Sequence, residues 1–139
     1  MEFANKLQRM LERDEGIKDQ PYFDSEGHLT IGIGHNLDEP LAGVLIEAIF
    51  RHDLRRHTSE LLQRWPFIEF FDDARKAALI NMAFQMGVPR LATFRKMFAA
   101  LEVHDWKLAH AEALDSKWAL QTPERAKRVS EQLLTGRWV

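Results

Sequence analysis

The sequence predicts a mainly helical α+β domain, and three observations support this fold class. Apolar residues recur at helical spacing from Pro40 almost to the C-terminus. Residues 17–37 carry the only good strand pattern. The chain has 139 residues, the size of one ordinary domain. We therefore expect a small hairpin lobe over about residues 15–40, a connecting helix over about residues 41–63, and a helical lobe formed by residues 64–139 with an N-terminal helix over residues 2–14.

Apolar stripes and end signals predict the individual helices. The first helix has its stripe on Phe3, Leu7, Met10 and Leu11, and Gly16 ends it. The connecting helix runs from Pro40 to an interruption at Trp65-Pro66. Residues 74–86 are apolar around most of the circumference, which is typical of a helix at the centre of a domain. Thr122 as N-cap and Pro123 at the first helical position mark the start of the last helix, and Gly136 marks its end.

The hairpin is predicted from two short apolar runs around a turn. Tyr22-Phe23 precedes the turn-forming sequence Asp24 to Gly27, and residues 29–33 follow it. Gly32 and Gly34 weaken a simple strand and indicate a bulge or a close approach of another group to the backbone.

Composition excludes several classes of function. The chain has no cysteine, which rules out disulfides, cysteine-based zinc sites and thiol catalysis. Its six histidines show no zinc-binding spacing, so we expect neither a metal nor another cofactor. No apolar run approaches the roughly 20 residues of a membrane span, and no signal peptide is visible at the N-terminus. The net charge of −2 argues against a nucleic-acid binder.

The charge is unevenly distributed along the chain. Residues 1–38 hold eight acidic and four basic side chains, whereas residues 117–139 hold two acidic and five basic ones. This complementarity suggests two surfaces that face each other across a cleft, which is the usual place for a ligand. The basic run around Arg125 and Arg128 either forms a solvated helix face, pairs with acids of the first helix, or binds an anionic ligand.

Two carboxylates are candidates for chemistry. Glu15 lies at the end of the first helix, where a negative charge opposes the helix dipole. Asp24 follows nine residues later at the start of the turn. Glycosidic bond hydrolysis needs such a pair, one protonated and one ionised. With 21 acidic residues in the chain, a solvated Glu15 and a turn-capping Asp24 remain alternatives. For His35, we favour a structural role.

Several sequence motifs, taken in their order along the chain, resemble those of the phage T4-type lysozymes, the endolysins of glycoside hydrolase family 24. They are Asp14-Glu15-Gly16, Tyr22-x-Asp24-x-Glu26-Gly27, Thr30-Ile31-Gly32-Ile33-Gly34-His35, Ala77 to Gly87, Ser116-Lys117-Trp118, Gln121 to Val129 and Thr135-Gly136-Arg137-Trp138. Their spacing agrees with the family from about residue 3 to residue 138. The resemblance implies a lysozyme-like fold and a muramidase that hydrolyses the β-1,4 bond between N-acetylmuramic acid and N-acetylglucosamine with inversion, causing cell lysis.

The resemblance also implies roles for particular residues. Glu15 would be the general acid, Asp24 would be the second carboxylate, and Thr30 would help to hold the attacking water. Supporting pairs would be His35 with Asp53, Arg125 with Glu15, and Asp14 with Arg128. The sugar cleft would include Phe84, Gln85, Asn36, Met97 and Glu112.

This chain departs from the family pattern in its small lobe and cleft. Only 17 residues separate His35 from Asp53, which removes a helix-and-loop insertion. Asn36, Met97 and Glu112 stand where the pattern has Leu, Ser and Asn. A lytic transglycosylase and a non-catalytic wall-binding module are the alternative functions. The expected partner is the peptidoglycan glycan strand, with no nucleic acid and no membrane insertion. We expect a monomer that is held in the host cytoplasm until a separate pore or delivery machine releases it to the wall.

Overall fold

The computed structural model describes all residues from 1 to 139, and they form two compact units. Met1–Ile46 is the N-terminal unit and Glu47–Val139 is the C-terminal unit. Helices predominate and the only sheet is small and antiparallel. The predicted mainly helical α+β class is therefore confirmed, while the assignment of residues 2–14 to the helical lobe stays a prediction.

The N-terminal unit consists of one helix and a three-stranded sheet. Helix α1 spans Glu2–Glu15 and has no buried residue. It ends at Gly16, whose φ of 77° is in the region that favours glycine and whose N–H donates to the Glu12 carbonyl. Strands β1 (Lys18–Phe23), β2 (Leu29–Gly32) and β3 (His35–Asn36) follow in the spatial order β1-β2-β3.

The register of the sheet centres on Thr30. It faces Tyr22 on β1 and Asn36 on β3, and it is almost fully buried. The pairing of β1 with β2 is irregular between Lys18 and Tyr22. The sequence predicts the β1–β2 hairpin but not β3, because a two-residue strand is too short to show an alternating pattern.

The remaining chain is helical. It contains α2 (Gly43–Arg64), a 3₁₀ helix (Pro66–Phe70), α3 (Asp73–Met86), α4 (Val88–Leu91), α5 (Arg95–Glu102), α6 (Trp106–Leu114), α7 (Lys117–Gln121) and α8 (Pro123–Thr135). None of these helices is long and apolar enough to cross a membrane. The bounds agree with the predicted interruption at Trp65-Pro66 and with the predicted last helix.

The core of the C-terminal unit surrounds α3. Leu79 and Met82 on α3, Leu101 on α5 and Leu133 on α8 are completely buried. Helix α3 is nevertheless open on one side, since Phe84 is 36% exposed. The apolar residues around most of the α3 circumference therefore overstate its burial, because alanine is small enough to occupy both buried and half-buried positions.

The starts of α3 and α8 differ in their capping. At α3, the Asp72 carboxylate accepts from the Arg75 N–H at 2.9 Å, as an N-cap side chain does. At α8, Thr122 occupies the N-cap position and Pro123 the first helical position. The Thr122 hydroxyl, however, donates to the Trp118 carbonyl at 3.1 Å. The expected side-chain cap is thus replaced by a bond back to α7.

Candidate active site

Glu15 is presented at the C-terminal end of α1. Its side chain is exposed, and no hydrogen bond or ion pair within the N-terminal unit holds its carboxylate. The nearest constraint is the main chain of Gly34, in the turn between β2 and β3. A β-carbon built on Gly34 would lie 3.0 Å from the Glu15 Oε2 atom. Glu15 therefore lies beside bare backbone, and no side chain or main-chain donor of its unit is bonded to its carboxyl.

Asp24 is held very differently. One carboxylate oxygen, Oδ1, accepts from the Glu26 N–H at 2.9 Å and from the His28 N–H at 2.8 Å. The main-chain hydrogen bond from His28 is the largest cause that holds the pKa of the Asp24 carboxyl below its ordinary value of 3.8. Two donors that stabilise the charged form keep this carboxylate ionised at neutral pH. The second oxygen, Oδ2, lies 3.5 Å from the His28 Nδ1 atom.

The main chain of His28 connects Asp24 to Thr30. Its N–H donates to Asp24, while its carbonyl accepts from the Thr30 hydroxyl at 2.9 Å and from the Asp24 N–H at 2.9 Å. Because the Thr30 proton is committed to this carbonyl, the Thr30 Oγ1 atom keeps its lone pairs for another donor. The site thus combines an ionised carboxylate with a hydroxyl oxygen that can accept.

Glu15 and Asp24 lie toward opposite ends of β2. Glu15 is beside the turn that follows β2, whereas Asp24 is bonded to His28, the residue before β2. Strand β2, which carries Thr30, therefore lies between the two segments that contact Glu15 and Asp24.

The two predicted residues of β3 have different surroundings. Asn36 is half-buried opposite Thr30, and its side-chain oxygen accepts from the Asp38 N–H at 2.9 Å. The Nε2 atom of His35 is buried and has no hydrogen-bond partner. Its pairing with Asp53 joins residues of different units and stays a prediction.

An apolar groove of about 410 Å³ lies in the C-terminal unit beside the open side of α3. Its wall includes Phe84 and Phe50, whose ring centroids are 6.0 Å apart. Arg125 also lines the groove, and its Nε atom donates to the Asn81 side chain at 2.9 Å. Phe84 and Arg125 therefore contribute to one surface, which carries a positive charge at its margin.

A second and more polar groove, of about 550 Å³, contains Met97 and Glu112. Met97 is only 1% exposed, so it forms the floor of the groove and also belongs to the core. Basic side chains surround the groove: Arg90, Arg95, Lys96 and Lys117. Trp118 forms part of its wall, and the Trp118 Nε1 atom donates to the Gln85 side chain at 2.8 Å. Gln85 is thereby tied to a residue of the groove wall, although it does not line the groove itself.

The predicted cross-lobe pairs stay predictions. Asp14 accepts from the neighbouring Arg13 Nε atom at 2.9 Å, and Arg128 is exposed. Arg125 and Glu15, like Asp14 and Arg128, belong to different units. No group of three or more His, Asp or Glu side chains is placed to hold a metal ion.

Three residues of these sites were not expected from the sequence. His28 acts through its main chain, and Asn81 and Trp118 act through partners more than 30 residues away. The turn-forming sequence from Asp24 to Gly27 lies directly before His28 and is the one sequence signal that points to this residue. No local pattern identifies the long-range partners of Asn81 and Trp118.

Comparisons with known proteins identify the family of this chain. The protein family described as phage lysozyme matches residues 12–135. Probable T4-type lysozyme 1 of Dictyostelium discoideum is 33% identical over 163 residues, covering 96% of this chain and 96% of that protein. The pre-baseplate central spike protein Gp5 of Enterobacteria phage T4 is 33% identical over 159 residues, covering 94% of this chain and 28% of that protein.

A further relative is the peptidoglycan hydrolase gp36 of Pseudomonas phage phiKMV. It is 29% identical over 120 residues, covering 81% of this chain and 13% of that protein. The chain therefore spans nearly the whole length of the Dictyostelium relative but only a minor part of the two phage proteins. Since the family match extends over most of its length, the chain belongs to the phage lysozyme family.

Proposed function

We propose that this chain is a peptidoglycan-degrading lysozyme that hydrolyses the β-1,4 bond between N-acetylmuramic acid and N-acetylglucosamine with inversion. The observation that carries the proposal is the contrast between its two carboxylates. Main-chain donors hold Asp24 ionised, whereas Glu15 lies beside bare backbone with its carboxyl unbonded. Glycosidic bond cleavage needs such a pair, in which one carboxyl donates a proton and the other carboxylate stays ionised. The name of the phage phiKMV relative, a peptidoglycan hydrolase, supports the choice of substrate.

In this mechanism Glu15 is the general acid. Its protonated carboxyl donates to the glycosidic oxygen as the bond to the anomeric carbon breaks, so the leaving sugar departs as a neutral alcohol. Positive charge then develops on the remaining sugar ring. The ionised Asp24 stabilises that charge and receives the proton of the attacking water.

Thr30 completes the placement of the water. Its hydroxyl proton is given to the His28 carbonyl, so its Oγ1 atom accepts a hydrogen bond from the water while Asp24 Oδ2 accepts the other. Both acceptors are fixed by the main chain of the same residue, which orients the water lone pair without further ordering. We assign Thr30 this role together with Asp24.

We propose inversion because the two carboxylates are associated with opposite ends of β2 and not with neighbouring positions. Inverting glycosidases leave about 6.5–9.5 Å between the two groups to accommodate a water, whereas retaining enzymes bring them to about 5–5.5 Å.

The substrate contacts are assigned to the two grooves of the C-terminal unit and to Asn36. Phe84 offers an apolar surface for a sugar ring. Met97 and Glu112 line the polar groove, and Gln85 is hydrogen-bonded to Trp118 in its wall. The basic margin of this groove suits the carboxylates of an anionic wall polymer. Monomeric state, release from a host cytoplasm and the supporting pair of His35 and Asp53 stay predictions.

Digestion of purified sacculi, followed by mass spectrometry of the released fragments, tests the proposal. We expect the wild type to release fragments with reducing muramic acid ends and Glu15→Gln to release none, with a loss of several orders of magnitude. Circular dichroism of Glu15→Gln serves as the folding control. Full activity of the folded variant would refute the role of Glu15.

The same spectra distinguish the alternatives. A lytic transglycosylase yields 1,6-anhydro ends, which are lighter than hydrolytic ends by one water. A non-catalytic wall-binding module sediments with sacculi and releases nothing. Either result from the wild type would overturn the proposed hydrolysis.

A further inference from the structure

Gly32, the last residue of β2, and Gly34, in the turn before β3, share a positive φ but differ in their surroundings. Gly32 and Gly34 both have a φ of +68°, in the left-handed region that L side chains rarely adopt. A β-carbon on Gly32 would meet nothing within 4 Å. A β-carbon on Gly34 would meet Glu15. The conformation explains both glycines, but only Gly34 has an additional reason to lack a side chain.

The contact at Gly34 involves most of the Glu15 side chain. The added β-carbon would lie 3.0 Å from Oε2, 3.1 Å from Cδ and 3.2 Å from Cγ of Glu15. These distances are shorter than most contacts of a real β-carbon, so one partner would have to move by a few tenths of an ångström. The Glu15 side chain is flexible and exposed, whereas Gly34 is fixed in a turn. The carboxyl would therefore be the group that moves.

Nothing else in the N-terminal unit fixes this carboxyl. Glu15 has no hydrogen bond or ion pair there, and it is the last residue of α1. Its position relative to the sheet that carries Asp24 and Thr30 consequently depends on van der Waals contact with the Gly34 main chain.

We propose that Gly34 is a positioning residue, whose missing side chain leaves the space in which the Glu15 carboxyl is held for proton donation. The inference rests on the proposed function, because it gives Glu15 the role of general acid. It extends that function to a residue that touches neither the sugar nor the water. Displacing an acid from its productive position by up to 1 Å lowers the rate by as much as about 10²-fold.

The matched pair Gly34→Ala and Gly32→Ala tests this role. Both substitutions place a side chain at the same positive φ, so both should lower the melting temperature through backbone strain. Only Gly34→Ala should lower kcat on soluble peptidoglycan fragments, by roughly tenfold or more, with little change in KM. Equal kcat values for the two variants would overturn the proposal.

A stability cycle reads the contact without any reference to activity. In the wild-type background, the loss in urea midpoint caused by Gly34→Ala should include a small cost of displacing the exposed Glu15 side chain. In a Glu15→Ala background, which removes the atoms in contact, this loss should shrink, whereas the loss caused by Gly32→Ala should stay the same. A Gly34→Ala loss that does not shrink without the Glu15 side chain would overturn the contact. An inactive wild type would refute the proposed function but would leave this cycle decisive for the contact.

A second pair covers the case in which Gly34→Ala does not fold. Asparagine tolerates the left-handed region better than alanine does, yet it carries the same β-carbon. Gly34→Asn and Gly32→Asn should then differ in kcat in the same direction. Wild-type kcat in folded Gly34→Asn would overturn the proposal.

Discussion

The indole N–H of Trp118 donates to the side-chain oxygen of Gln85 at 2.8 Å. This bond joins α7 to α3 across 33 positions of the sequence, and Trp118 is only 3% exposed. A buried indole nitrogen needs an acceptor, so Gln85 has a structural role in addition to the substrate contact proposed for it.

Removing the acceptor should therefore destabilise the fold. We expect Gln85→Leu to lower the free energy of unfolding by about 1–3 kcal/mol, because it leaves the Trp118 N–H buried and unpaired. Gln85→Glu keeps an acceptor oxygen at the same position and is the matched control. Urea unfolding followed by tryptophan fluorescence measures both. Equal losses in the two variants would show that the hydrogen bond is not the cause.

Arg75 closes the end of α8 and should be important for stability. Its guanidinium donates to the carbonyls of Leu133 at 2.8 Å and Leu134 at 2.9 Å, pairs with Asp72 at 2.9 Å, and lies 4.0 Å from the Trp106 ring centroid. These carbonyls are in the last turn of α8, where helical acceptors lack partners of their own. Arg75→Met should lower the free energy of unfolding by about 2–4 kcal/mol, since several partners lose their donor together.

An exposed arginine provides the control for Arg75. Arg51 pairs with Glu47 at 2.7 Å on the surface of α2, and both side chains are exposed. Exposed pairs of this spacing contribute about 0.3–0.5 kcal/mol. Arg51→Met should therefore have little effect in the same thermal or urea unfolding experiment. If Arg75→Met lost no more unfolding free energy than Arg51→Met, the proposed role of Arg75 in stability would be contradicted.

Gln85 and Arg75 show which features the sequence could not reveal. The stripe of Phe3, Leu7, Met10 and Leu11 predicts α1, and Gly16 and Gly136 predict helix ends, because these signals depend on neighbours within one or two turns. The partners of Trp118 and Arg75 lie 33 and 58 positions away. Such pairs depend on how helices pack, which periodicity alone does not determine.

The candidate site likewise combines features that the sequence predicts with features that only the structure reveals. Glu15 and Asp24 could be proposed from their positions at a helix end and in a turn, and the two glycines indicated either a bulge or a close approach of another group to the backbone. The identity of that group, the Glu15 side chain, required the structure. The link through the His28 main chain could not be predicted from the sequence either, because main-chain donors and acceptors are not specified by residue type.

The depressed pKa of Asp24 predicts a dependence of stability on pH. Main-chain hydrogen bonds, first from His28, lower this pKa in the folded chain. The ionised carboxylate therefore stabilises the fold above the unfolded pKa of about 3.9, and its contribution is lost as the pH falls through the folded pKa. Asp24→Asn keeps an acceptor for the two main-chain donors but cannot ionise.

Comparison of the two proteins isolates this effect. The difference in unfolding free energy between wild type and Asp24→Asn should be constant near neutral pH and should shrink on acidification below about pH 4. Urea midpoints measured from pH 7 to pH 2.5 provide the test. A difference that does not change with pH would mean that Asp24 has the same proton affinity in the folded and unfolded chain.

The position of Glu15 predicts that catalysis and helix stability are opposed at this residue. A negative charge in the last turn of a helix opposes the helix dipole, at a cost of about 0.3–1 kcal/mol. Glu15 ends α1 and has no compensating ion pair within its unit. Glu15→Gln should therefore abolish lysis while raising the thermal stability slightly.

Glu2→Gln is the matched control at the other end of α1, where the negative charge of Glu2 interacts favourably with the helix dipole and pairs with Lys6 at 2.7 Å. It should lower the thermal stability and leave lysis intact. Shifts of the same sign in the two variants would argue against an electrostatic origin, because only the dipole reverses between the two ends of the helix.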